Sequence, residues 1–186
     1  MLNIISTFIG GNVRETGSFV IWVENFQRKI FNIIKIFEKY PPLTKRLRSQ
    51  IVFMNSCLNS NNVNVYLNDR PNKYRNDIAE ISPDQILGLS YFCGWLSGFI
   101  EAEGCFCLRS NSSKVRSFSI SQKNEKNILL SIKMYLNSES NIRLLRNKNY
   151  FFETCNKLSL SKITSHCNTY PLIGEKQKSF FIFSNY

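Results

Sequence analysis

Leu96-Ser97-Gly98-Phe99-Ile100-Glu101-Ala102-Glu103-Gly104 is an apolar helical run that closes on two carboxylates and a glycine stop. The ending departs from a local rule. Acidic side chains in a last helical turn face the negative end of the helix dipole, which costs a few tenths to about 1 kcal/mol each. Such a departure, with no compensation visible in the sequence, marks a candidate functional site. A divalent cation would remove the repulsion, because hard cations take carboxylate and carbonyl oxygens.

The same run carries a second unusual feature. Gly94, Gly98 and Ala102 recur every four residues and form one narrow ridge of small side chains. Each glycine inside a helix costs roughly 0.8–1 kcal/mol relative to alanine, and Gly88 would make a third. Only two alanines exist in the chain, Ala79 and Ala102, and one completes the ridge. A ridge of this kind lets two helix backbones approach closely. It predicts a helix packed on a copy or near-copy of itself, with the two acidic ends side by side.

At 186 residues the chain can hold one domain, or one domain and part of another, and 43% hydrophobic content supplies a sizeable core. The formal charge of +11 favours a polyanion, either nucleic acid or an anionic membrane surface. No membrane span is expected. The best candidate, the uncharged stretch 85–100, would reach only ~24 Å against a bilayer core of ~30 Å, and it runs into two glutamates. Cys57, Cys93, Cys105, Cys107, Cys155 and Cys167 include no CxxC pair, and His166 is the only histidine. Zinc-site spacing is therefore absent, and the cysteines read as reduced thiols of an intracellular protein, with His166 structural. Asn, Ile, Lys, Phe and Tyr are abundant while Ala is nearly missing, which points to an AT-rich genome such as an organelle's. No secretory signal is visible.

A degenerate internal repeat organises the chain. Residues 39–55 align without gaps on 169–185, pairing Tyr40/Tyr170, Pro41/Pro171, Arg46/Lys176, Arg48/Lys178, Ser49/Ser179, Phe53/Phe183 and Asn55/Asn185. Each copy follows an apolar helical segment and, before it, strand-like runs: 19–23 in the first copy, and 151–152 with 158–160 in the second. Only the second copy has the acidic helix before it. Residues 58–82 are Asn-rich, polar and poorly periodic, and read as a linker between a partial unit, 1–57, and a complete one, 83–186. Within the latter, Ser82-Pro83-Asp84 starts a helix that continues to about Glu103. Strands are expected at 105–110 and 115–122, then an amphipathic helix at 124–136 turning Ile128, Leu129, Ile132, Met134 and Tyr135 inward. A second hairpin over 142–145 and 151–160, with Arg146-Asn147-Lys148-Asn149 as its tip, precedes a helical C-terminus broken at Pro171. The class is α+β, in the order α-β-β-α-β-β-α.

On these residues the chain resembles the LAGLIDADG homing endonucleases, whose namesake motif matches 96–104. Phe118-Ser119-Ile120-Ser121-Gln122-Lys123, and Tyr170-Pro171-Leu172 leading to Lys176, extend the likeness over 83–186. Residues 1–57 resemble the second half of another such domain. The resemblance implies a saddle-shaped antiparallel sheet lying in the DNA major groove, with motif helices paired at the domain interface through Gly94, Gly98 and Ala102. It implies Glu103 as the metal-binding acid with the Ala102 carbonyl beside it, Gln122 orienting the attacking water, and Lys176 stabilising charge on the phosphate. The metal would be Mg²⁺ or another divalent cation, and the reaction hydrolysis of double-stranded DNA. That agrees with the physics of metal-activated water and a cation near the developing charge. Glu101, about 200° from Glu103 around the helix, would be auxiliary or structural.

Strand alternation sorts the groove face. With Phe106, Leu108, Phe118 and Ile120 inward, Cys105, Cys107, Arg109 and Asn111 face outward with Ser117, Ser119 and Ser121. Arg143, Arg146 and Lys148 are candidates for phosphate or guanine contacts. One motif and one and a half domains leave two arrangements open: a homodimer, or a missing upstream half-domain that carries the second acid. The alternatives in function are a maturase that binds its intron RNA and a truncated inactive remnant. The compartment expected is the mitochondrion, with the chloroplast as the alternative.

Overall fold

The computed structural model describes residues 2–60, 62–74, 78–109 and 115–186. They fall into two compact units that divide between Ala79 and Glu80. The first contains α1 (Leu2–Ile9), β1 (Asn12–Thr16), β2 (Phe19–Val23), α2 (Gln27–Lys39), α3 (Lys45–Ser60) and α4 (Val63–Asp69). The second contains α5 (Pro83–Leu87), α6 (Phe92–Glu103), β3 (Gly104–Arg109), β4 (Val115–Lys123), α7 (Lys126–Tyr135), β5 (Arg143–Leu144), β6 (Asn149–Thr154), α8 (Lys157–Thr169) and α9 (Lys176–Ser184). No described helix is long and apolar enough to cross a membrane.

The 130-residue offset of the repeat holds beyond the window that revealed it. α2 and α8 coincide to the residue under that shift, and β2 begins where β6 begins. Both helices end on a Tyr-Pro pair with matching backbone: Tyr40 at φ −128°, ψ 76° and Tyr170 at φ −120°, ψ 81°. Proline forbids the helical region to the residue before it, so the same dipeptide stops both helices alike.

In the second unit the four strands run antiparallel in the order β3-β4-β6-β5. One face of the sheet takes the core: Phe118, Ile120 and Phe152 are at most 1% exposed, against Ile128, Leu129 and Ile132 of α7. Phe106 joins them from β3, its ring centroid 5.2–5.4 Å from those of Phe118, Phe180 and Phe183.

Several expectations are corrected. The long helix from 83 is two helices. Ser82 and Gln85 form a reciprocal capping box at the start of α5, and Gly88 is that helix's C-cap rather than part of the motif helix. The strand expected to reach 160 ends at Thr154. Asn156 then accepts bonds from the Leu158 and Ser159 amides and starts α8, so Leu158-Ser159-Leu160 is a first helical turn. Met134 is 44% exposed, because it lies about 100–160° around α7 from Ile128, Ile132 and Tyr135.

The stretch read as a linker holds the end of α3 and all of α4, which Asn62 caps. Phe53 of α3 takes the repeat position of Phe183. Where Phe183 meets Phe106 of β3, Phe53 meets Tyr66 of α4, with ring centroids 6.0 Å apart. The short helix thus covers part of a face that a strand covers in the other unit. Among the described residues the sheet of the first unit is the pair β1-β2, and Phe19, Val20 and Ile21 are 70%, 55% and 44% exposed.

Candidate functional site

Apolar burial anchors α6 and presents its end. Leu96 and Ile100 are fully buried and Phe92 nearly so. Trp95 stacks on Phe99, with ring centroids 4.8 Å apart. The helix passes straight into β3, and Gly104 is both its C-cap and the first residue of the strand. Its φ of −73° needs no glycine. Space does: a Cβ there would stand 2.8 Å from the Ile100 carbonyl oxygen. The closing glycine therefore serves close approach, not the left-handed backbone a stop usually takes.

The two carboxylates diverge. Glu101 is half-buried, and its Oε1 accepts the Lys176 amide at 3.1 Å. Lys176 is the first residue of α9, whose own N-cap, Glu175, makes no side-chain cap bond. Glu101 is thus a cap supplied from another helix, placing its negative charge at a positive helix end. A Cβ on Gly174 would collide with this carboxylate. Glu101 therefore has a structural compensation that its own helix does not reveal.

Glu103 has none. It is exposed, and no described residue bonds or pairs with it. The ladder sets its surroundings: Gly104 lies opposite Ile120, so the last turn of α6 meets the stretch of β4 that ends in Gln122 and Lys123. Gln122 is half-buried and its Oε1 accepts the Lys123 amide at 3.1 Å. Lys176 is half-buried and tied to α6 through Glu101. The end of α6 thus neighbours β4 through the ladder and the start of α9 through Glu101, so the elements that carry Gln122 and Lys176 each adjoin the one that carries Glu103. Among the described residues no group of three His, Cys, Asp or Glu side chains gathers to hold a metal. Glu103 and the Ala102 carbonyl offer hard oxygen donors, which suit Mg²⁺ or Ca²⁺ rather than a thiophilic metal. They are a partial set that water, a phosphate or a second acid would complete.

The sheet's other face carries Cys105 opposite Ser119, and Ser121 opposite Phe151. Cys105 is exposed, while Cys107, Ser119 and Ser121 are half-buried. Ser117 corrects the alternation rule. It is 1% exposed and offers no accessible hydroxyl, because alternation fixes the face of a short side chain but not its height among larger neighbours. Arg109 lies opposite Val115 on β3, described in its backbone only, and Asn111 lies outside the described residues. Arg143 is engaged, 3.2 Å from Glu153 and with its guanidinium 4.8 Å from the Phe151 ring centroid. Arg146 and Lys148 are exposed in the tight turn between β5 and β6, where Asn147 and Lys148 adopt left-handed backbone. Phe151 and Glu153 share this face and were not singled out from the sequence. The inward Phe152 between them was the signal.

On the ridge, Gly94, Gly98 and Ala102 are all exposed, and among the described residues a Cβ built on either glycine meets nothing within 4 Å.

Residues 96–186 match the sequence profile of a family described as LAGLIDADG endonuclease. A probable intron-encoded endonuclease, aI3, of Dictyostelium citrinum is 42% identical over 193 residues, covering all of this chain and 78% of that protein. The homologous aI3 protein of Dictyostelium discoideum is 35% identical, covering 98% of this chain and 78% of its own length. Among solved structures, the LAGLIDADG meganuclease I-AabMI bound to uncleaved DNA superimposes with a TM-score of 0.74 at 22% identity, over 99% of this chain and 75% of that one.

Proposed function

Since this chain belongs to the LAGLIDADG endonuclease family, we propose that it hydrolyses phosphodiester bonds of double-stranded DNA at a specific site, with Glu103 as its metal-binding acid. The observation that carries the assignment is the contrast within the motif. One carboxylate is consumed in capping α9, and the other stands free at the end of an anchored helix where β4 and α9 meet it. The relatives bear the name endonuclease, which favours DNA cleavage over the maturase reading.

A divalent cation, with Mg²⁺ as the first choice for phosphate chemistry, would supply an activated water and neutralise charge on the phosphate. The chain's own residues do the rest. Glu103 and the Ala102 carbonyl would hold the ion. Gln122 would orient the attacking water by hydrogen bonding. The Lys176 ammonium, positioned by the bond from its backbone to Glu101, stabilises the pentacovalent phosphate. The outward face of the β3-β4-β6-β5 sheet contacts the DNA, with Ser119, Ser121, Arg143, Arg146 and Lys148 as its polar members. The exposed ridge supports a second motif helix as the partner of α6, from a second copy or from a further half-domain, bringing a second acid. The AT-rich composition and intron-encoded relatives support a mitochondrial intron as the origin.

Glu103→Gln tests the assignment. Cleavage of a duplex carrying the intron-less exon junction should fall by at least about 1,000-fold, as loss of a central electrostatic group does. Binding of the same duplex in Ca²⁺ should persist. A variant that still cleaves at the original rate removes Glu103 from the chemistry.

A further inference from the structure

The buried polar groups behind the motif helix form a chain of hydrogen bonds whose proton positions can be deduced. Ser97 Oγ lies 2.8 Å from the Tyr170 carbonyl oxygen and 3.1 Å from His166 Nε2. Tyr135 Oη lies 3.0 Å from His166 Nδ1, and Cys93 Sγ lies 3.9 Å from Tyr135 Oη. Ser97 is 7% exposed and His166 3%. A carbonyl only accepts, so the single hydroxyl proton of Ser97 goes to Tyr170. The Ser97 oxygen must then accept, which requires a proton on His166 Nε2. A neutral ring has no second proton, so its Nδ1 accepts from the Tyr135 hydroxyl, and the Tyr135 oxygen is left to take the weak Cys93 donor. Every donor and acceptor in the chain is satisfied only with this tautomer.

The placement of the chain gives it a consequence. Cys93, Ser97 and Glu101 are spaced by four along one face of α6. Ser97 holds the carbonyl at the start of the 170–176 connection, and Glu101 holds the amide at its end. Two clamps one helical turn apart thus fix that connection against the helix that carries Glu103. We propose that His166, as its Nε2–H tautomer, is a positioning residue that holds the 170–176 connection, and with it Lys176, in register with the motif helix. Its effect on cleavage rests on the nuclease reading; its effect on the connection does not. Burial among α6, α7 and α8 pushes the imidazole pKa down to about 4, in keeping with a ring that stays neutral. The titratable or charged groups facing this cluster are Cys93, Tyr135, Cys167 and Tyr170, with Lys162 over the Tyr135 ring.

The test uses the full chain with His166→Phe, His166→Gln and Ser97→Ala. Nitrogen-15 shifts of the wild-type imidazole should report a protonated Nε2 and a bare Nδ1 at neutral pH. Amide exchange at Lys176 should quicken at least about fivefold in His166→Phe and Ser97→Ala, while exchange in β4 and β6 stays unchanged. Single-turnover cleavage by those variants should fall at least about tenfold with DNA affinity held within about twofold, since small misplacements of reacting groups lose rate rather than binding. His166→Gln, whose amide can donate to Ser97 and accept from Tyr135, should recover most of both. If His166→Phe does not fold, Ser97→Ala carries the decision alone. The opposite tautomer, or a folded variant with unchanged Lys176 exchange, overturns the proposal, as does a loss of DNA affinity equal to the loss of rate. A wild-type chain that cleaves no DNA but shows the expected exchange shift would remove the nuclease reading and leave the positioning role standing.

Discussion

Glu101 and Glu103 are two residues apart in one helical turn, yet the fold separates their work. Glu101→Ala should remove the cap of α9 and leave its first amide without a partner. The expected loss is about 1–2 kcal/mol of stability, read by thermal or urea unfolding. Glu101→Gln, which keeps an acceptor oxygen, should lose less. His166 makes a second prediction at this scale. Its folded pKa of about 4 lies below the ordinary imidazole value of 6.5, so the unfolded chain binds more protons between those two values. Stability from this group is fully present above about pH 6.5 and falls as the pH drops towards 4, by up to about 3 kcal/mol. Urea midpoints measured at pH 7 and pH 4.5 should show the decline, and His166→Phe should flatten it.

Among the elements, α8 and the β5-β6 hairpin show how local signals compete. The apolar run around Leu158 reads as strand or helix with equal ease. The short asparagine before it decides, because its side chain satisfies two amides that a helix start leaves open. Asn156→Ala should therefore cost about 1 kcal/mol in unfolding measurements. The hairpin's exposed turn offers Arg146 and Lys148 to a phosphate backbone. Replacing both with alanine should weaken DNA binding similarly across sequences. It should also reduce the slope of log affinity against log salt by about 2, as counterion release per lost phosphate contact requires. Arg143 should matter less, since Glu153 and the Phe151 ring already engage it.

For the molecule as a whole, the repeat sets the expectation. The second unit pairs β6 with β4, whereas the first, among the described residues, pairs β2 with β1 and leaves large apolar side chains exposed. Such a face and strand edge favour association. Gly98→Leu isolates the contribution of the small ridge. Among the described residues nothing lies within 4 Å of the new Cβ, and leucine is the better helix former. Unfolding temperature should hold or rise, while assembly through α6 is blocked. Sedimentation of wild type and variant across a concentration series, with and without target DNA, reads the difference. Identical behaviour would mean that α6 does not form the pairing contact.

What the sequence determined by itself is everything that repeats or alternates over a few residues. The motif and its acidic end, the Tyr-Pro stops, the strand-helix-strand order from 104 to 154 and the inward set Phe106, Phe118 and Ile120 are of this kind, because backbone geometry ties periodicity to direction. The 130-residue repeat was legible for the same reason, and α2 and α8 coincide under it. Tertiary structure alone decided what each side chain meets. It gave Glu101 to a helix 75 residues away, buried Ser117 on the face meant for DNA, enlisted α4 beneath Phe53, and closed the proton chain through His166. Those outcomes depend on contacts between residues far apart in the chain, and local spacing sets the direction of a side chain without setting its partner.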